Sequence, residues 1–220
     1  MSSPFHLHVD DARGLNPSAA ERLISEFGFF EHHFSGHPEG YPHYEPTRHY
    51  TAKFDNGRDL RETYKRVCTF LADPYSDGSA AFHGYVEAEF IPPDRRIHLS
   101  NQPFNPDIVP LPRLELKRLP QGDFRETEFH LTCDWERSNR EAVRRLLEMG
   151  LFGALTQKSW GTSIVLTAQG TRSAVHRLWD QLYEYLLVSG GLERATLKEE
   201  RILWHWIAHP HENRVPPVIG

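Results

Sequence analysis

Cysteine is scarce in this sequence: Cys68 and Cys133 are the only two in 220 residues, and they stand far apart. That excludes a disulfide framework and a cysteine-rich zinc site. Cys68 falls on an apolar helix stripe and Cys133 on a core-facing strand position, so two buried thiols in a reducing setting are expected. No apolar run approaches the roughly 18 residues that a membrane span requires, and Met1 to Pro4 is too short and polar for a signal peptide. A cytoplasmic protein with no membrane partner is the expectation. Excess positive charge is also lacking, since 25 Lys and Arg stand against 30 Asp and Glu. Nucleic-acid binding rests on clustered basic side chains, so no nucleic-acid partner is expected.

Proline, by contrast, is unevenly abundant. Seven of the sixteen prolines lie between Pro92 and Pro120, where a chain short of backbone donors cannot build a continuous helix or sheet. This segment reads as a strap that packs across two lobes through Phe104, Ile108, Val109 and Leu111, with a short strand near Leu114 and Leu116. The expected organisation is a first lobe at 1–91, the strap at 92–123, a second lobe at 124–211 and a tail at 212–220. Residues 1–91 carry 14 acidic and 8 basic side chains and eight of the fourteen histidines, whereas 124–220 carry 12 of each charge.

Hydrophobic periodicity gives both lobes the same order. Phe5, Leu7 and Val9 alternate with His6, His8 and Asp10; Phe129, Leu131 and Cys133 alternate with His130, Thr132 and Asp134. This echo aligns His6 with His130 and His8 with Thr132. After the first strand, Asn16-Pro17 opens a helix with Ala20, Leu23, Ile24 and Phe27 on one stripe, closed by Gly28. After the second, Ser138 and Glu141 read as a capping box before Val143, Leu146 and Leu147, closed by Gly150. Each half continues with hairpin, strand, helix (Asp59 to Leu71; the helix after Thr171) and a last strand (His83 to Ile91; Leu192 to Ile207). The fold class is α+β, a tandem duplication of a ferredoxin-like βαββαβ unit with antiparallel sheets and helices on one face. On the closing strand Ile202, Trp204 and Trp206 alternate with Leu203, His205 and Ile207, so both of its faces are expected to be buried at a lobe interface.

The helix-free face of the first sheet is then the candidate site. Alternation turns Tyr50, Ala52 and Phe54 of the third strand and Gly84, Val86, Ala88 and Phe90 of the last strand inward, and leaves His49, Thr51, Lys53 and Asp55 and His83, Tyr85, Glu87 and Glu89 outward. The open face, exposed to solvent, therefore gathers His6, His8, Asp10, His49, His83, Tyr85 and Glu87. Two imidazoles at i and i+2 on a strand can converge on one divalent ion, and a third His or a carboxylate completes a three-point site with open positions. The metal candidates are His6, His8, His49, His83 and Glu87, for iron or zinc. Tyr85 is the candidate acid, base or oxyanion partner. A loop from Ser35 to Arg48, with His37 and His43, has no counterpart in the second lobe and can fold over this face; of His32 and His33, only one can point toward it. His205, His209 and His211 form a further histidine cluster near the end of the chain. A solvated His-rich face that holds no ion is the plain alternative.

Two families share short motifs with this chain. Phe5-His6-Leu7-His8-Val9 followed by a helix, then Gly36-His37-Pro38-Glu39-Gly40-Tyr41-Pro42-His43 before a strand, resembles the small DOPA-dioxygenase-like proteins over about the first 55 residues. That resemblance implies a ferredoxin-like, metal-dependent protein. His130-Leu131-Thr132-Cys133 is similar to the His-hydrophobic-Thr-hydrophobic motif of the 2H phosphoesterases, which are duplicated and carry one motif per lobe. It implies a metal-free phosphodiesterase with His6 and His130 as acid and base, although this chain has His8 where that motif has Ser or Thr.

Three functional readings therefore stand. The first is a metal-dependent oxygenase or hydrolase of a small molecule. The second is the paired-histidine phosphodiesterase with His130 as a catalytic residue. The third is a non-catalytic binding or assembly protein whose imidazoles gain charge below about pH 6.5. An open sheet edge in either lobe leaves room for a homodimer.

Overall fold

The structure, a computed structural model, describes residues 3–11, 15–32, 34–36, 38–39, 48–72, 82, 84–113 and 126–208. His33, His37, His43, His83, Leu114, Leu116, His209, His211 and the tail at 212–220 lie outside the described residues. The protein mixes helices with antiparallel sheet. Its elements begin β1 Phe5–Asp11, α1 Pro17–Phe27, β2 Phe30–His32, β3 Phe34–Gly36, β4 Arg48–Phe54, α2 Gly57–Ala72 and β5 Gly84–Phe90. They continue β6 Arg96–His98, β7 Thr127–Asp134, α3 Arg140–Glu148, β8 Phe152–Lys158, β9 Gly161–Gly170, α4 Arg172–Ser189 and β10 Thr196–Ala208. Two compact units result, the first from the described residues of 1–33, 47–90 and 202–220, the second from those of 34–46 and 91–201.

In the first unit the strand order is β2-β4-β1-β5, with β10 beside β5. Every apolar residue expected on the inner parity of β1, β4 and β5 that is fully inaccessible, Leu7, Val9, Tyr50, Val86 and Ala88 among them, joins one core with Leu60, Tyr64 and Val67 of α2. Their i, i+4, i+7 spacing turns one stripe of the helix to the sheet. Local chemistry sets the helix ends. Asn16 Oδ1 accepts from the Ala19 amide at 2.8 Å, and Gly28 closes α1 at φ 74°, a conformation that a side chain would strain. Asn56 Oδ1 does the same for Asp59 at the start of α2. The closing strand differs from its expected burial on both faces. Trp204 packs on Tyr64 and Trp206 on Phe82, but Leu203, on the opposite parity, is 38 % exposed. The tryptophans therefore belong to this core.

The second unit has the order β10-β7-β9-β8-β3, with β6 paired to residues 196–198 of β10. Phe129, Leu131 and Cys133 of β7 meet Val143, Leu146, Val175, Leu178 and Leu182 from α3 and α4. The capping box at Ser138 is not what forms. Asn139 is the cap, its Oδ1 accepting from the Glu141 and Ala142 amides, while Ser138 Oγ accepts from the Glu193 amide. An Asx turn on Asp134, which accepts from the amides of Glu136 and Arg137, moves the helix start one residue on. The described part of the strap lies on this unit: Phe104, Ile108 and Leu111 pack on its core, and Arg145 donates to the carbonyls of Ile108 and Pro106. The approach is close at Gly190, where a Cβ would come within 2.3 Å of the Pro103 carbonyl oxygen. Among the described residues no helix is long and apolar enough to cross a membrane.

Candidate functional site

The register, which alternation alone does not supply, places the polar residues of the first unit. His8 lies opposite Thr51 on β4 and Glu87 on β5, His6 opposite Lys53 and Glu89, and Asp10 opposite His49 and Tyr85. All nine share the parity of His6. The face is not the open, solvated surface expected: His6 is 5 % exposed, His8 9 %, and Glu87 and Glu89 each 2 %. Alternation separates the two faces of a sheet; it carries no information on which is covered.

Burial changes the energetics of these groups. A carboxylate withdrawn from water needs a cation or several donors to remain charged, at a cost otherwise of several kcal/mol. Glu89 Oε2 sits 2.9 Å from His8 Nε2. On its other side His8 Nδ1 is 2.9 Å from both His49 Nε2 and Thr51 Oγ1. His49 Nδ1 in turn faces Asp10 Oδ2 at 3.7 Å, and the Tyr85 hydroxyl donates to that same oxygen at 2.7 Å. The rings of His6 and His8 meet edge to face at 5.7 Å, and the ring of His32 on β2 lies tilted to that of His49 at 5.3 Å.

His6, His8 and Glu89 each offer a ligand atom within 4.8 Å of the other two. Buried His and Glu groups of this kind could hold a metal. An ion about 2.1 Å from each donor would hold cis ligand atoms about 3 Å apart, close to the His8–Glu89 separation. Of the expected metal candidates, His6 and His8 are brought together, Glu87 stands opposite His8 with an oxygen within 4.8 Å of one on Glu89, and His49 lies behind His8 at Nδ1. Tyr85 bonds to Asp10. Glu89 was not among the residues singled out. Its parity is legible, but its approach to His8 is diagonal across the β1/β5 pair and follows only from the register.

His130 stands on β7 of the second unit. Its Nδ1 is 2.9 Å from Thr167 Oγ1, and its Nε2 is 2.7 Å from Glu200 and 3.3 Å from Glu128. These three acid and imidazole groups also lie within 4.8 Å of one another. Lys198 Nζ, however, sits 2.6 Å from Glu200 Oε1. Burial alone would lower the His130 pKa; the charge of Glu200 and hydrogen bonds to Glu128 and Glu200 outweigh it and raise the value to about 9. Both thiols are buried and free, with burial pushing Cys68 up to about 12 and Cys133 to about 11, so neither is a nucleophile near neutral pH.

No family model matches the chain, and no curated protein matches it. Among solved structures, an anthrone oxidase-like protein aligns with 97 % of this chain and 95 % of its own at 9 % identity and a TM-score of 0.29. A proposed monooxygenase from Fusobacterium nucleatum subsp. nucleatum aligns with 94 % of this chain and 95 % of its own at 10 % identity and a TM-score of 0.26. At these scores neither likeness bears on fold or chemistry.

Proposed function

We propose that this protein is a metal-dependent enzyme, an oxygenase or hydrolase of a small molecule, whose ion is held by His6, His8 and Glu89. We further read the chain as a tandem duplication of a ferredoxin-like βαββαβ unit, with copies at 1–91 and 124–211 and the join at 92–123. Supporting the duplication, each first strand (β1, β7) runs antiparallel between the third and fourth strands of its own set.

One observation carries the functional reading: two buried imidazoles and a buried carboxylate converge within 4.8 Å. Two His and one carboxylate are the donor set that suits iron(II) with positions left open for oxygen and substrate. Zinc in the same set would lower the pKa of bound water toward neutrality, for hydrolysis. The chain's own groups then orient the ligands, with Thr51 and His49 on His8, while Glu87 stands on the adjoining strand opposite that ring. Paired-histidine phosphodiester chemistry is less well supported, because both ring nitrogens of His130 are occupied by Thr167, Glu128 and Glu200.

Equilibrium dialysis against zinc, manganese and, without oxygen, iron(II) tests this reading. The wild-type chain should take up close to one ion, and Glu89→Ala should bind it about 100-fold more weakly or worse. A wild-type chain that takes up none of the three overturns it.

A further inference from the structure

Tyr85, Asp10 and His49 form a row behind His8, on the side away from Glu89. We propose that this row is the positioning shell of the metal site, in which Asp10 sets the tautomer of His49 and His49 sets the tautomer of His8. The proposal rests on the metal reading above and assigns roles to three residues that this reading does not use as ligands.

A carboxylate only accepts, and Asp10 Oδ2 already accepts from the Tyr85 hydroxyl at 2.7 Å. The His49 nitrogen that faces that oxygen is Nδ1, at 3.7 Å, an electrostatic contact longer than a hydrogen bond that favours a proton on Nδ1 of the neutral ring. That leaves Nε2 of His49 as a lone pair, aimed at His8 Nδ1 from 2.9 Å. Two lone pairs cannot face each other at that distance, so His8 carries its proton on Nδ1, where Thr51 Oγ1 is a second acceptor at 2.9 Å. Glu89 Oε2 faces His8 Nε2 at 2.9 Å and only accepts, so without an ion that nitrogen carries a proton as well; a bound ion would displace it, while the Nδ1 hydrogen bonds keep the ring in its ligating orientation. A hydrogen bond on the remote nitrogen is the usual way that a ligating imidazole is oriented and made more basic. Asp10, two residues from His8 on the same strand face, and His49, directly opposite Asp10, are held in this row by the sheet register itself. Tyr85, opposite Asp10 on the other neighbouring strand, locks the carboxylate from the far side.

The row distinguishes substitutions that shape alone would not. Asp10→Asn keeps the size of the side chain but adds an N–H donor, which lets His49 adopt the opposite tautomer. His49→Phe removes the acceptor for His8, and His49→Gln restores one. Competition with a chelator, using zinc alone as the probe, should show binding about 10- to 100-fold weaker in Asp10→Asn and His49→Phe, with His49→Gln close to wild type and Tyr85→Phe the mildest. Circular dichroism and the unfolding midpoint identify variants that merely fail to fold. Nitrogen NMR of the metal-free chain above neutral pH supplies an independent reading, with His49 protonated at Nδ1 in the wild type and at Nε2 in Asp10→Asn. Folded Asp10→Asn and His49→Phe chains that bind zinc as tightly as wild type overturn the positioning shell while leaving the metal site standing. A wild type that binds no zinc, manganese or iron overturns the metal reading instead, and a His49 proton on Nε2 in the wild type overturns the tautomer order whether or not metal binds.

Discussion

His8 in the first unit and His130 in the second occupy matching surroundings that the sequence echo misaligns. Each has a threonine directly across one neighbouring strand, Thr51 or Thr167, and that hydroxyl is 2.9 Å from Nδ1. Each directs Nε2 to a glutamate, Glu89 or Glu200, that stands opposite the residue two places earlier, His6 or Glu128. The motif echo pairs His6 with His130; the cross-strand environment pairs His8 with His130. The difference lies in what neutralises the acids. In the second unit a lysine occupies the place of Glu87, and Lys198 together with a protonated His130 supplies built-in positive charge. In the first unit the imidazoles of His6 and His8 lie beside Glu89 and can act as ligands. One pattern of positions thus carries a lysine beside the carboxylates in the second unit and a second imidazole beside the carboxylate in the first.

The strongest way to break this comparison is to remove a carboxylate from the network. Glu200→Gln should destabilise the chain by about 1.5–3 kcal/mol in urea, because it leaves the half-buried His130 and Lys198 cations without their charged partner; a loss below about 0.5 kcal/mol would mean that the network is not the neutralising device described. Next in size is the pH dependence. His130 has a folded pKa raised to about 9, so its contribution is fully present below the unfolded value near 6.5 and is lost as pH rises through about 9. Denaturation midpoints should fall across that window in the wild type, and His130→Gln should lack that component. A smaller effect follows from Lys198, whose charge lowers the His130 pKa. Lys198→Met should move the His130 titration, followed by NMR, to higher pH. The least of these effects is common to both units: Asn16→Ala and Asn139→Ala should each cost about 1 kcal/mol through a lost helix cap.

The sequence made legible what repeats along the chain. Alternation assigned Leu7, Val9, Tyr50, Ala52, Val86 and Ala88 to the core and placed Glu89 on the face of His6 and His8, because a strand's parity depends on nothing beyond itself. Register depends on two strands at once, so the diagonal approach of Glu89 to His8 was not readable, nor was the row from His8 through His49 to Asp10. Burial of that face was missed for a related reason: His and Glu at alternate positions look solvated until their surroundings are known. Ser138 was mistaken for a cap because Ser and Asn are near-equal caps and stand side by side; the Asx turn on Asp134 decides between them.

Metal stoichiometry measured side by side in His8→Ala and His130→Ala tests the central claim most directly. The account predicts close to one bound ion in the wild type, none in His8→Ala, and an unchanged ion in His130→Ala despite its lower stability. An ion that survives His8→Ala and disappears with His130→Ala would place the metal chemistry in the second unit and contradict the account.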